Sequence, residues 1–397
     1  MNFSISETPS GNAIWGARPV AVIGDSKVQL YWENPMPYIL TFVRISDPDE
    51  FDIFISENDM SDFRKIAGLK IDEGYSYTVD KLQNGKPCFF YTVSKKKGFE
   101  PVTSDIIMAV PNQRLGFETL QTNEEGHTVW SVSIAHNKNK IAYVDGHYTW
   151  ERGAVIISNM DGSEKELVNT DSYGPSWSPE NDKIVFYTRD WTKPAQILLY
   201  DCNTKSITPL TDGKRNCYTP VFSENGELIL FEAAKDIVTN GGTVTVSSET
   251  DETDIWLIDL KTPEPFQVTD INAVSAIMAR QPCWIDNDRF LFYAFENNNQ
   301  LYESSVSNRQ INKVFDSQWN DSYPSISPDK KKIAFISDRS GEDAIWIYHI
   351  DNKTYSQLSG YSSSESIWSS GSYVQWLDNV TVVYTINGNR LVKQKIE

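Results

Sequence analysis

Three histidines, His127, His136 and His147, stand 9 and 11 residues apart, with Asp145 and Glu151 beside the last of them. Zinc ligands come at shorter, defined spacings and with a carboxylate or cysteine partner. His147 with Asp145 or Glu151 is the nearest approach to such a set, but solvated turn positions suit all three histidines better. A serine hydrolase would need a strained G-x-S-x-G elbow and a distant Asp and His. The closest string, Gly360-Tyr361-Ser362-Ser363-Ser364, lacks the second glycine and lies in a polar loop, so no nucleophile is expected. The acidic run Glu249, Asp251, Glu252 and Asp254 lacks the D-x-D-x-D-G order of a calcium loop. No catalytic residue, metal ligand or cofactor is therefore expected, a structural calcium ion being the one exception left open. Paired carboxylates for sugar hydrolysis also stay open, since any of 54 acidic residues could meet another across a cleft.

A second set of residues could bind rather than react. Tyr148, Trp150, Trp191, Trp319, Tyr361 and Trp368 fall in connecting loops, together with Arg152, Arg189, Lys214, Arg215 and Arg339. Tryptophan and arginine dominate binding hot spots, and flat rings stack on sugars and peptides. Trp150, Arg152, Arg189, Trp191, Trp319, Arg339 and Trp368 are the expected ligand contacts. The alternative is that the tryptophans fold back as lids.

The elements that must position these loops repeat. Pro175-Ser176-Trp177-Ser178-Pro179 is followed by Ile184 and Phe186, and Pro324-Ser325-Ile326-Ser327-Pro328-Asp329 by Ile333 and Phe335 at the same offsets. Pro220-Val221-Phe222-Ser223 with Ile229 and Phe231 is a third copy. Taking Val132, Pro175, Pro220, Pro282, Pro324 and Val374 as equivalent points, the spacings are 43, 45, 62, 42 and 50 residues. Such periods with four short strands each describe propeller blades. The long interval holds an insertion, Ala233 to Thr253, and the last a Ser-rich loop, Ser359 to Ser372. The sixth unit ends at its third strand, Arg390 to Lys393, and Gly116 to Thr122 reads as the missing outer strand. Pairing these ends would remove an exposed edge. In such blades the loops bearing the aromatics emerge on one face, and the opposite turns, such as Asp161-Gly162, carry none.

With Asp329, Lys332-Ile333-Ala334-Phe335 and Ser337-Asp338-Arg339, the repeats resemble the TolB-like, PD40-type (WD40-like) six-bladed propellers. The resemblance covers residues 115–397 and implies that fold. It also implies binding of protein partners and peptides at the propeller mouth, as the family's periplasmic namesake does. That namesake carries an α/β domain ahead of its propeller, which this sequence does not.

Residues 13–110 lack the repeat. Val28, Leu30 and Trp32 alternate, as do Phe51, Ile53 and Ile55, between turns at Gly24-Asp25, Asn84-Gly85 and Lys97-Gly98. Seven or so short strands in about 100 residues suit an immunoglobulin-like sandwich. Trp32 before Pro35, Leu82 with Gly85, and Phe89-Phe90-Tyr91-Thr92-Val93-Ser94 make the stretch similar to a fibronectin type III domain, with Phe89 where that family usually has a tyrosine. The expected fold is thus all-β, a sandwich (13–110) followed by a six-bladed propeller (115–397) closed by its own N-terminal strand.

Composition narrows the partners. A net charge of −18 repels phosphate backbones and anionic lipid, which disfavours nucleic acid and membrane surfaces. No apolar run approaches the roughly 20 residues of a membrane span. The N-terminus has no basic start or apolar core, so a cytoplasmic location is expected, or a secreted or periplasmic one if the chain is a mature form. Cys88, Cys202, Cys217 and Cys283 show no metal or redox spacing, and Cys202–Cys217 is the one pairing worth testing. The expected function is non-catalytic recognition of a protein or peptide on the aromatic face. The alternatives are a carbohydrate-binding or carbohydrate-active protein using the propeller mouth, and a structural component of a larger assembly.

Overall fold

The computed structural model describes residues 4–7, 12–16, 19–24, 26–32, 44–46, 48–57, 59–70, 76–112, 117–123, 127–146, 153–190, 193–235, 252–358 and 373–396. Its internal contacts divide the chain into two units. One is Met1–Leu115 with Ser337–Trp346 and Lys353–Ser363; the other is Gly116–Ile336 with Ile347–Asn352 and Ser364–Glu397.

In the first unit, Val20–Gly24, Lys27–Tyr31 and Ser76–Asp80 form one sheet. Arg64–Lys70, Glu50–Ser56, Cys88–Lys95 and Val102–Thr103 lie side by side in another, and Ile107–Ala109 also pairs with Cys88–Lys95. The alternation read from sequence points Val28, Leu30, Phe51, Ile53, Ile55 and Phe90 into one shared core. Trp32 joins it, stacked on Phe51 at 5.5 Å. A third sheet joins Ser4–Glu7, Asn12–Gly16 and Arg44–Ser46, so strand structure begins ahead of residue 13.

Between Phe117 and Lys395 the chain forms the six four-stranded antiparallel sheets expected of a six-bladed propeller, five of them wholly within the second unit and blade 5 divided between the ranges of the two units. Blade 1 begins with Trp130–Ile134, blade 2 with Ser172–Trp177, blade 3 with Cys217–Phe222, blade 4 with Met278–Trp284, blade 5 with Asp321–Ile326 and blade 6 with Gln375–Trp376. Each first strand is innermost and runs from the blade-connecting loops to a hairpin turn. Blade 6 takes its outer strand from Phe117–Thr122, which pairs with Arg390–Lys395 from Phe117 opposite Gln394 to Thr122 opposite Arg390. The closure read from the two ends is therefore present.

The repeated serine has a structural cause. Ser178, Ser223 and Ser327 are buried at the first hairpin, and each Oγ accepts from the backbone N–H five residues on, Lys183 at 3.0 Å, Leu228 at 3.0 Å and Lys332 at 2.9 Å. These bonds satisfy amides the tight turn would otherwise orphan. The turns also staple neighbouring blades. Asn181, Asn287 and Asn379 accept through Oδ1 from the backbone N–H of Asn137, Asn225 and Asp329 in the preceding blade, at 3.1, 2.9 and 3.0 Å. In blades 4 and 6 the first hairpin is one residue shorter than in blade 2, with Trp284 opposite Phe290 and Trp376 opposite Val382 against Trp177 opposite Ile184. Each adds a tryptophan bond, Trp284 Nε1 to Val221 O at 3.2 Å and Trp376 Nε1 to Ser325 O at 2.9 Å.

All four cysteines are free thiols, so Cys202 and Cys217 form no bridge. Burial pushes Cys88, Cys202 and Cys283 up to about 11 and Cys217 to about 12, which makes them poor nucleophiles. No helix among the described residues is long and apolar enough to cross a membrane.

Candidate binding site

The six innermost strands enclose an axial cavity of about 110 Å³. Its middle ring is the set of points that defined the repeat: Val132, Pro175, Pro220, Pro282, Pro324 and Val374. Toward the blade-connecting loops comes a ring of the preceding residues, Ser131, Gly174, Thr219, Gln281, Tyr323 and Tyr373. Ser176, Val221, Cys283, Ser325 and Gln375 line the end nearer the hairpin turns. None of these lining residues is charged.

A bulge builds this geometry. The pairing of first and second strands slips between Trp130 and Ser133, Tyr173 and Ser176, Tyr218 and Val221, and Arg280 and Cys283. In the slipped stretch Ser131, Gly174, Thr219 and Gln281 have left-handed backbones, with φ of 48, 58, 45 and 52°, and Tyr323 matches them at 54°. Four of the five precede proline, which disfavours this shape further. A non-glycine residue held so costs of order 1–3 kcal/mol, and such strain concentrates where a side chain must be aimed. Only blade 2 relieves it with a glycine.

Behind the upper ring lies a polar layer. Glu232 is 4% exposed and follows Phe231 on the second strand of blade 3. Its Oε1 accepts from Thr219 Oγ1 in the same blade and from the backbone N–H of Gln281 in blade 4, the latter at 2.8 Å. Gln281 Nε2 in turn donates to the Tyr373 hydroxyl of blade 6 at 2.9 Å. One carboxylate thus holds two strained ring residues, and one of these reaches across to a third blade. Burial raises the pKa of Glu232, opposed by the Arg280 guanidinium and the bonds from Thr219 and Gln281. Tyrosines complete the layer, Tyr173, Tyr187 and Tyr218 with successive ring centroids 5.9 and 5.5 Å apart, and Tyr293, Tyr323 and Tyr373 with centroids 5.6 and 5.5 Å apart. Burial pushes Tyr373 up to about 12 and also raises Tyr187, Tyr293 and Tyr323 above the ordinary phenol value, so these phenols stay neutral.

The residues expected as contacts separate. Trp150, Arg152, Trp191 and Trp368 lie outside the described residues, as do His147, Glu151, Tyr361 and the string from Gly360 to Ser364. Arg189 is half-buried, its guanidinium 5.8 Å from the Tyr173 ring centre. That places it beside the tyrosine layer. Trp319 is half-buried, and its carbonyl accepts from Asn298 Nδ2 at 2.7 Å. Arg339 is a correction. It is 1% exposed, packed in the first unit between Trp346 and Tyr355 at 5.2 and 4.6 Å, with Nε donating to Ser337 Oγ at 3.0 Å. Its charge is held by rings and a hydroxyl inside the fold and is not offered to solvent. Arg215 is likewise occupied, 5.2 Å from the Trp256 ring and donating to the Ala234 carbonyl at 3.1 Å.

The chemistry-bearing candidates also resolve. His127 Nδ1 lies 3.2 Å from Asp145 Oδ1, and no group of three or more His, Cys, Asp or Glu among the described residues could hold a metal ion. Residues 236–251 of the insertion lie outside the described set, and its base is closed by Lys235 N donating to Glu252 O at 2.9 Å. Asp254 is wholly buried, accepting from Thr269 Oγ1 at 2.9 Å and from Ile271 N, the first amide of the turn Ile271–Val274, at 3.0 Å.

Sequence reading missed Glu232, although the repeat marks it. Aligned blades carry Val144, Tyr187, Tyr293, Ile336 and Thr385 at its position. An acid there breaks the pattern.

No protein-family model matches the sequence, and no curated protein matches it either. Among solved structures, the chain is similar to TolB from Acinetobacter baumannii, at 14% identity and a TM-score of 0.46, covering 100% of this chain and 96% of that one. It is similar to a protein of unknown function from Bacteroides thetaiotaomicron at 11% identity and 0.48, covering 100% and 98%. It also matches an oligogalacturonate lyase from Vibrio parahaemolyticus at 10% identity and 0.47, covering 72% and 97%. These neighbours include a protein named for no reaction and an enzyme, so the likeness does not choose between binding and catalysis.

Proposed function

We propose that the chain is a non-catalytic recognition module that binds a protein or peptide at the end of the propeller where the blade-connecting loops emerge. One observation carries this reading over the carbohydrate-active one: the axial cavity has no charged lining residue, and the carboxylate behind it, Glu232, is engaged by Thr219 and Gln281. Glycosidic cleavage by paired acids needs two carboxyl groups facing each other across roughly 5–9.5 Å. A cavity of about 110 Å³ is also small beside the roughly 300–1,000 Å³ of sites that enclose a ligand, so a partner would lie over the mouth. Trp150, Arg152, Arg189, Trp191, Trp319 and Trp368 are the proposed contacts. Residues 13–110 are proposed as a fibronectin type III-like sandwich serving as a spacer, a reading supported by a three-stranded and a five-stranded sheet around one core.

The test compares the wild-type chain with Trp150→Ala/Trp191→Ala/Trp319→Ala/Trp368→Ala in capture from the native organism's extract, both proteins having matched thermal midpoints. A protein retained by the first and reduced at least tenfold with the second is the expected outcome. Equal capture by both, with oligosaccharide binding by the wild type alone, would replace this reading with the carbohydrate one.

A further inference from the structure

The axial cavity has properties that surface recognition does not use. Its middle ring is six apolar residues, four of them proline, and the rings on either side carry hydroxyl, amide and thiol groups. An ion entering this space would shed its hydration with no lining charge to compensate, a prohibitive cost in a low-dielectric interior. A neutral molecule bearing a hydroxyl or amide would find both apolar contact and hydrogen-bond partners. The space has a barrier toward the blade-connecting loops, because Gln281 of blade 4 and Tyr373 of blade 6 are joined at 2.9 Å. Gln281 is not free to choose its position. Its backbone N–H is held by Glu232 Oε1 at 2.8 Å, and its left-handed φ of 52° is part of the bulge that aims it inward.

We propose that the axial cavity is a binding compartment for one small uncharged molecule bearing a hydroxyl or amide, and that the Gln281–Tyr373 bond, positioned by Glu232, is its gate. The occupant is a free molecule of a few heavy atoms. A side chain still attached to a partner would have to hold the bar open, whereas a free molecule can be enclosed behind it. Glu232 touches no occupant and is a positioning residue.

Cys283 lines the cavity below the bar and serves as a reporter. The full chain is treated with three thiol reagents of one chemistry, neutral methyl methanethiosulfonate and its cationic trimethylammonium-ethyl and anionic sulfonatoethyl counterparts. Labelling of each cysteine is followed by mass spectrometry. In the wild type the neutral reagent is expected to modify Cys283 at least tenfold faster than either charged one, after correction for their rates with a free thiol. Gln281→Ala and Tyr373→Phe are each expected to raise the neutral rate about tenfold while leaving buried Cys88 and Cys217 unchanged. Glu232→Ala should do the same, and Glu232→Gln, which keeps an oxygen to accept from Gln281, should restore the slow rate. Added propionamide should slow neutral labelling of Cys283 and leave Cys202 unaffected. Equal labelling by charged and neutral reagents, no acceleration in both gate variants, acceleration of all four cysteines together, or no protection by propionamide would each overturn the proposal. Tyr373→Phe removes a single hydroxyl and keeps the test decisive if the alanine variants fold poorly.

Discussion

Glu232 is an acid placed where the fold supplies little water, and its titration should be visible in the stability of the whole chain. Burial raises its folded pKa above the ordinary value, so between those two values the folded state holds more proton than the unfolded one. Its contribution therefore favours folding below the ordinary glutamate range and is lost as pH rises through the raised value. Denaturation of wild type and Glu232→Gln across pH 4 to 8 is expected to show the wild type losing stability relative to the variant as pH rises. A constant difference would show that Glu232 has no raised pKa. Asp182 has the opposite shift, held down chiefly by Lys183, yet it is partly exposed and contributes little. At this scale the sequence was only partly legible. The glutamate after Phe231 stands out once the blades are aligned, but nothing in a single chain says that its oxygen meets Thr219 and Gln281. Arg339 misled for a related reason, since a serine-aspartate-arginine run after a strand looks like a solvated loop and its burial depends on Trp346 and Tyr355.

The blade hairpins show how a short motif carries a repeat. Ser327 Oγ accepts from Lys332 N at 2.9 Å and donates to Asp329 Oδ1 at 2.6 Å within one turn. Ser327→Ala removes the hydroxyl that accepts from the part-buried Lys332 N–H and should cost about 1–3 kcal/mol in a denaturant titration. The surface change Lys353→Ala, on a solvated turn, should stay within about 0.5 kcal/mol. A loss for Ser327→Ala no greater than for Lys353→Ala would show that the motif's serine is dispensable. Strand order, blade number and closure were readable because proline, serine and the Ile-x-Phe pair recur at fixed offsets. The axial bulge was not. Thr219, Gln281 and Tyr323 precede proline in a shape that local preference argues against, and only packing among six blades sustains it.

Across the whole propeller, the outer strand of blade 6 joins one end of the repeat array to the other through Phe117–Thr122 and Arg390–Lys395. Deleting residues 117–122 would leave Arg390–Lys395 with an unpaired edge. The expected result is a thermal midpoint lower by roughly 5–10 °C, with light scattering that rises with protein concentration. An unchanged midpoint would mean that closure contributes nothing to stability. The same pairing also sets an order of events in the cell. The strand Phe117–Thr122 leaves the ribosome well ahead of its partner Arg390–Lys395. At about 5–20 residues per second, the first strand waits for a time on the order of tens of seconds. During that interval a nascent chain can build blades 1 to 5 in succession, but the ring cannot shut until Arg390–Lys395 has been made. Stalled or truncated chains would thus be recognisable to quality control by a single open seam.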